Sequence, residues 1–264
     1  MPVSFSTEAV EAGLSGTQFS GLIHHFPSVK STNTLALAAA QAGTQGGVWI
    51  ADEQTAGRGR GGHTWHSAAG DGLYVSALVR PSLPLTRALW LSLATGLATQ
   101  TAIAEVTGLT PDIRWPNDLL LAGKKCGGIL VETALAAQTE EPATLRYAVI
   151  GVGINVNHAE FPPELSTLAT SLRQETGKPW PRESLLTALL RALDQEIRSL
   201  ETNDNHLLER FAHASSWVRG KHVQVGEDGG YTGVTAGLNA EGFLLVEGDD
   251  GVRHTVFSGG VRAL

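Results

Sequence analysis

Residues 54–65 read QTAGRGRGGHTW and set Arg58 and Arg60 among four glycines, Gly57, Gly59, Gly61 and Gly62. Guanidinium forks suit carboxylates and phosphates, which they grip through paired hydrogen bonds. Glycine loses the most backbone freedom on ordering, so two cations on such a backbone call for a reason. One reading is a mobile lid that closes on an anion; another is a solvated loop that touches nucleic acid loosely. A third is an exposed turn whose arginines serve solubility. In an extended segment Arg58 and Arg60 leave on the same side.

Three further groups carry polar chemistry. Ser31, Thr32 and Asn33 stand where an Ala/Leu helix begins. They suit N-capping, and at a positive helix end they also suit the polar head of a ligand. In RWPNDLLLAGKKCGGILVE, residues 114–132, Pro116 holds Trp115 extended and leaves Asn117 and Asp118 at a strand break, within reach of a metal or a ribose. Lys124 and Lys125 follow a turn and alternate in direction, so at most one faces inward. Gly127 and Gly128 then let a ligand lie against bare backbone. Asn155 and Asn157 close the strand VIGVGINVN, which lacks the third glycine of a dinucleotide fingerprint.

Other patterns carry less. His63 and His66 have metal-ligand spacing without a Cys or carboxylate cluster, and no side-chain set is nominated as metal ligands. EGDDG at 247–251 is a hairpin turn, too short for a calcium loop. There is no Gly-x-Ser-x-Gly elbow and no Walker loop.

These residues need elements to hold them. A short arm or helical turn over 1–20 is followed by a strand at HHFPSV and the helix that Gly43 stops. GGVWIADEQ is a buried strand running into the glycine-arginine loop. DGLYVSALVR alternates as a strand, with Leu73, Val75, Ala77 and Val79 against Tyr74, Ser76 and Leu78. Residues 86–107 form a long helix with Leu89, Leu93 and Leu97 at four-residue spacing and Gly108 behind it. A hairpin turns at Ala122-Gly123-Lys124, a strand covers LRYAVIGVGINVN, and helix returns over 182–214. From Trp217 the composition changes to short alternating strands between glycine turns, the pattern of a small antiparallel barrel of about five strands. The fold class is α+β, with a mixed-sheet domain over 1–216 and the small barrel over 217–264.

The totals agree. The 264 residues are 42% hydrophobic, enough for a large core. A net charge of −7 argues against nucleic acid as the main partner. The lone Cys126 excludes an internal disulfide and fits a reducing compartment. With no membrane-length apolar run and no signal-peptide pattern, the expected setting is the cytoplasm.

Taken in order, KSTNT, ADEQTAGRGRGGHTW, IRWPNDLLLAGKKCGGILVE and VIGVGINVN resemble the biotin protein ligases, and the resemblance covers nearly the whole chain from about His24. It implies a mixed-sheet catalytic domain of the biotin/lipoate ligase type with a C-terminal SH3-like barrel. It implies ATP and biotin as substrates, magnesium, biotinyl-5′-AMP as intermediate, and transfer to a lysine of a biotin carboxyl carrier protein of acetyl-CoA carboxylase or a related carboxylase. By the resemblance, Ser31, Thr32, Asn33, Gln54, Gly57, Arg58, Gly59, Arg60, Lys125 and Gly128 hold biotin, with Lys125 and Arg58 catalytic. Trp65, Asn117, Asp118 and Asn155 would face the nucleotide. A homodimer is compatible with it. His63 stands where relatives often carry arginine, which puts retention of the adenylate in question. Too few residues precede His24 for a winged-helix DNA-binding domain, so the expectation is a monofunctional ligase without operator binding. The nearest alternative is a lipoate or octanoate ligase; the other is a non-catalytic module presenting the basic loop.

Overall fold

In the computed structural model of the protein, residues 5–135, 143–202, 206–227 and 229–264 are described. The first part of the expected N-terminal arm, 1–4, lies outside them; α1 (Thr7–Ala12) follows, capped by the Ser6 hydroxyl. The chain then runs β1 (Ile23–Val29), α2 (Thr32–Gln41), β2 (Gly47–Gln54), β3 (Gly72–Val79), α3 (Ala88–Thr107), β4 (Asp112–Arg114), β5 (Asp118–Leu121), β6 (Lys124–Leu135) and β7 (Leu145–Asn155). These seven strands form one sheet in the order β1-β2-β3-β7-β6-β5-β4. Only β1 and β2 pair in parallel, which makes the sheet mixed.

The two faces of the sheet have different covers. In β3, Val75, Ala77 and Val79 join the core under α3, while Leu78 faces α2 with Trp49 and Val149. All eight residues of β3 are buried, so its alternation separates two covered faces rather than inside from outside. α3 is buried all round from Trp90 to Thr99, as apolar helices are, and reaches solvent only near its C-terminal end at Thr101 and Glu105. It ends where expected, with Gly108 at φ 77° closing the last turn onto the Ala104 carbonyl. Thr86, expected as its first residue, belongs to a preceding 3-10 turn, Leu85–Arg87. On the other face α2 approaches the sheet through Ala36 and Ala40, both fully buried. It roofs β2, β3 and β7 and leaves the sheet beyond its N-terminus open.

After the short α4 (Leu172–Thr176), the helical region expected over 182–214 is two helices, α5 (Arg182–Glu201) and α6 (Leu207–Ala214). Residues 203–205 between them lie outside the described residues. The C-terminal strands are β8 (Arg219–Val225), β9 (Tyr231–Leu238), β10 (Leu244–Gly248), β11 (Arg253–Val256) and β12 (Val261–Ala263). They form a five-stranded antiparallel sheet in the order β11-β10-β9-β8-β12. Among the described residues β11 and β12 do not pair, so the sheet is open where a closed barrel was expected. Its Val223, Val225, Leu244 and Val246 share one core with α3, and Trp115 donates from Nε1 to the Gly242 carbonyl at 2.9 Å.

Candidate active site

The open end of the α2 face has a glycine floor. Along β6 the residues facing this side are Gly128, Leu130 and Glu132; along β7 they are Gly151 and Gly153. A Cβ on Gly151 would stand 2.1 Å from Asn33 Oδ1, and one on Gly153 2.6 Å from the Trp65 ring. The absent side chains are what make room for a cleft. Ser31, Thr32 and Asn33 form one wall, at the N-terminus of α2. Capping there falls to Gln54: its Oε1 accepts from the Thr32 N–H at 2.9 Å and the Thr32 hydroxyl at 3.2 Å. Ser31, at the N-cap position, makes no capping hydrogen bond and is left facing the cleft. Asn33 accepts from the Ser76 hydroxyl at 2.5 Å and donates to Glu132 at 3.0 Å.

The glycine-arginine loop closes over this floor. Gly57 sits where its two ends cross: the Trp65 N–H donates to the Gly57 carbonyl at 2.9 Å, and a Cβ on Gly57 would lie 2.5 Å from the Trp65 oxygen. The loop is not extended throughout, because Arg60–Gly62 form a 3-10 turn with Gly61 and Gly62 at φ 61° and 78°. The two arginines therefore reach different walls. Arg58 grips Glu132 bidentately at 2.8 and 3.1 Å, while Arg60 donates to Asn117 Oδ1 at 3.2 Å. Burial opposes the charge of Arg60 and lowers its pKa; Asp118 and Glu227 favour the charge. Trp65 lies across Gly128 and Gly153, and its Nε1 is buried without a partner. The space left is about 50 Å³, little more than a water or two. A substrate-sized ligand enters only if the loop lifts.

Lys125 reaches the cleft through an irregularity in β6. Leu119 pairs with Gly127 and Leu120 with Lys125, so Cys126 is an extra residue. Lys125 and Gly128 are three apart and would face opposite ways in a regular strand; the bulge turns both toward the cleft. Cys126 is correspondingly buried, and burial pushes its thiol up to about 12. Lys125 Nζ is 2.5 Å from Asp118 Oδ1 and 5.4 Å from the centre of the Trp65 ring. Lys124 is exposed.

Of the residues expected from sequence, Ser31, Thr32, Asn33, Gln54, Arg58, Gly59, Arg60, Trp65, Asn117, Lys125 and Gly128 line one cleft. Gly57 is at the loop's neck. Asp118 lies behind Lys125, shared with Arg114 at 2.6 Å. Asn155 is buried outside the cleft; its amide donates to the Thr170 carbonyl at 3.0 Å and the Lys125 carbonyl at 3.3 Å, and so anchors the bulge. His63 is exposed. His66 lies tilted against His158 and edge-on to Phe161, and no three His, Cys, Asp or Glu side chains converge among the described residues. His158 is buried beside the loop, and burial pushes its pKa down to about 4. Sequence reasoning missed Ser76, Glu132, Gly151 and Gly153. Period-two spacing from Gly128 to Glu132, and between the two glycines of GVG, was the available signal.

Residues 25–155 match the model of the Biotin/lipoate A/B protein ligase family. The chain is 34% identical over 257 residues to the bifunctional ligase/repressor BirA of Bacillus subtilis, covering 96% of this chain and 77% of that protein. It is 37% identical over 238 residues to the biotin–[acetyl-CoA-carboxylase] ligase of Mycobacterium tuberculosis, covering 87% of this chain and 84% of that one. Among solved structures, the biotin protein ligase from Aquifex aeolicus in complex with biotin and ATP superposes with a TM-score of 0.75 at 28% identity, over 92% of this chain and 98% of that chain.

Proposed function

The chain belongs to the biotin protein ligase family, and from that premise we propose that it activates biotin with ATP and transfers it to a lysine of a carrier protein. The observation that carries the reading is the convergence of Arg58, Arg60 and Lys125 over a glycine floor, at the open N-terminus of α2. Three cations in one small cleft suit a reaction that brings a carboxylate to a triphosphate.

In the first step a carboxylate oxygen of biotin attacks the α-phosphorus of ATP. The bond from that phosphorus to the bridging oxygen breaks, and pyrophosphate leaves. In the second step the neutral lysine amine of the carrier attacks the acyl carbon, AMP leaves, and the amine gives up a proton. Ser31, Thr32, Asn33 and Gln54 would hold the polar ring of biotin. Lys125 would bridge carboxylate and α-phosphate as a fixed positive charge, and Arg58 would bind the carboxylate and then the phosphate. Arg60 would retain the adenylate, with Gly57, Gly59 and Gly128 allowing close approach. Trp65 would stack on the adenine, with Asn117 beside the nucleotide. Asp118 would set the position of Lys125, and Asn155 would hold the strand that carries it. A lid suits this chemistry because the mixed anhydride hydrolyses if water reaches it.

Magnesium fits as an ion brought by ATP, which such ions join through phosphates and one or two protein oxygens. Asn117 and Asp118 are the oxygen donors of this chain nearest to that role. It would supply charge neutralisation as pyrophosphate departs. The same reading takes the carrier to be that of acetyl-CoA carboxylase or a related carboxylase, as the relative's name suggests. It takes 217–264 as an SH3-like unit beside a catalytic domain of 1–216, and the setting as cytoplasmic. Whether two copies associate is decided by sedimentation. Calorimetry with biotin, with and without ATP, tests the reading: micromolar or tighter binding supports it, and absence of binding in both opposes it.

A further inference from the structure

Glu132 stands beside the cleft, bonded to two of its lining residues, Arg58 and Asn33, yet nothing in the reaction above uses it. Its two oxygens receive three donors: Arg58 Nη2 at 2.8 Å, Arg58 Nη1 at 3.1 Å and Asn33 Nδ2 at 3.0 Å. A carboxylate held by a guanidinium fork and a side-chain amide is the arrangement expected of a bound ligand carboxylate. Here the carboxylate is the protein's own. Trp65 covers the floor at the same time, and Arg60 is engaged by Asn117. The loop's arginines are thus satisfied internally, and the cleft beneath is nearly full.

We propose that Glu132 is a resident counter-carboxylate that occupies Arg58 in the free protein, latches the glycine-arginine loop over the floor, and must be displaced when a substrate carboxylate binds. The proposal deepens the ligase reading and rests on it for the identity of that substrate. Its physical content is a competition between two carboxylates for one guanidinium. Glu132 has the advantage of being tethered. It does not become an orphan when Arg58 leaves, because Asn33 still donates to it and its side chain is 25% exposed. Displacement is therefore affordable, and the latch weakens binding without abolishing it. Arg58 is 44% exposed, so solvent screens the pair. Exposed bidentate pairs of this kind correspond to about a two- to fivefold effect on a binding constant.

The latch makes a demand on every ligand that must lift the loop. Removing it should tighten biotin and a neutral analogue alike, and only through Arg58, whereas simple repulsion by Glu132 would act on the carboxylate alone. The test uses calorimetric binding of biotin and of biotin amide to the full-length wild type, Glu132→Gln, Arg58→Ala and the double variant. Hydrogen exchange across 57–65 in the free proteins is measured alongside. Glu132→Gln should bind biotin two- to fivefold more tightly, bind the amide more tightly by a similar factor, and exchange faster across the loop; a gain for biotin with none for the amide would overturn the latch in favour of repulsion. In the Arg58→Ala background the same substitution should do nothing for biotin. Tightening that persists without Arg58 overturns the latch in favour of through-space repulsion. Weaker or unchanged biotin binding in Glu132→Gln overturns it as well. If wild type binds neither ligand, the ligase reading fails; the exchange data still judge the latch, which unchanged loop protection in Glu132→Gln would overturn.

Discussion

Gly151→Ala adds one methyl group to the cleft floor at a point where nothing can move aside. The new Cβ would lie 2.1 Å from Asn33 Oδ1 and 2.9 Å from its Cγ. Asn33 is 4% exposed and tied to Ser76, Glu132 and the Leu130 carbonyl, so it gives way only by breaking those bonds. The backbone of Gly151 is ordinary extended strand, which any residue adopts, so the cost is steric rather than conformational. Overpacking costs about 1–3 kcal/mol and disrupted buried hydrogen bonds about one more, a total of about 2–4 kcal/mol. For a chain of 264 residues the unfolding entropy is roughly 0.55 kcal/mol/K, so the melting temperature should fall by roughly 4–7 °C. Biotin should bind about 10-fold more weakly, since Asn33 leaves the wall it would present to the ligand. Gly46→Ala is the control: its Cβ meets Leu22 at 3.5 Å, an ordinary contact, and stability should stay within about 0.5 kcal/mol. Scanning calorimetry with and without biotin reads both quantities. A Gly151→Ala protein that melts and binds biotin as wild type does would refute the glycine floor as the basis of the cleft.

Lys125→Ala should reduce biotinyl-AMP formation by about 100-fold or more, whereas Lys124→Ala should stay within about twofold, because only Lys125 is turned inward by the bulge. Quantifying the adenylate by chromatography decides it, and equal losses would remove the assignment. Arg60→Gly should still form adenylate but release it, because one charge-assisted bond contributes about 1.5–3 kcal/mol. Biotin attached to an unrelated lysine-rich protein should then rise above the wild-type level; labelling that stays flat while adenylate forms rules Arg60 out as the retaining residue. His158 predicts a pH dependence of stability. Its folded-state pKa of about 4 lies below the ordinary 6.5, so as pH falls the unfolded chain takes up the proton first. The contribution is complete above 6.5 and disappears toward 4, the loss amounting to about 2 kcal/mol by pH 5. Asp71 opposes this shift and His66 reinforces it. Urea unfolding at pH 7.5 and 5 should show a steeper loss for wild type than for His158→Gln, and parallel losses would contradict the assignment.

Much of the site was legible because its chemistry is local in sequence. Two arginines among glycines, a polar triplet at a helix start and a lysine before paired glycines need no tertiary knowledge to be noticed. What escaped depends on strand pairing. The bulge at Cys126 reverses the side on which every later residue of β6 lies, and it brings Lys125 and Gly128 together. Glu132 then faces the arginine it neutralises, 74 residues away in sequence. Gly151 and Gly153 read as strand residues until α2 and Trp65 are placed above them. Asn155 ends a strand, and only the fold shows that its Nδ2 donates to the carbonyls of Lys125 and Thr170. The fold class followed from periodicity. Closure of the C-terminal strands did not, because alternation identifies strands without saying whether the edge strands, here β11 and β12, meet.

Release of pyrophosphate from ATP by the purified protein, measured with biotin, with lipoate and with neither, tests the central claim most directly. The account predicts release that requires biotin, is not supported by lipoate, and is lost in Lys125→Ala. Release that lipoate supports equally, or no biotin-dependent release from folded wild-type protein, would contradict it.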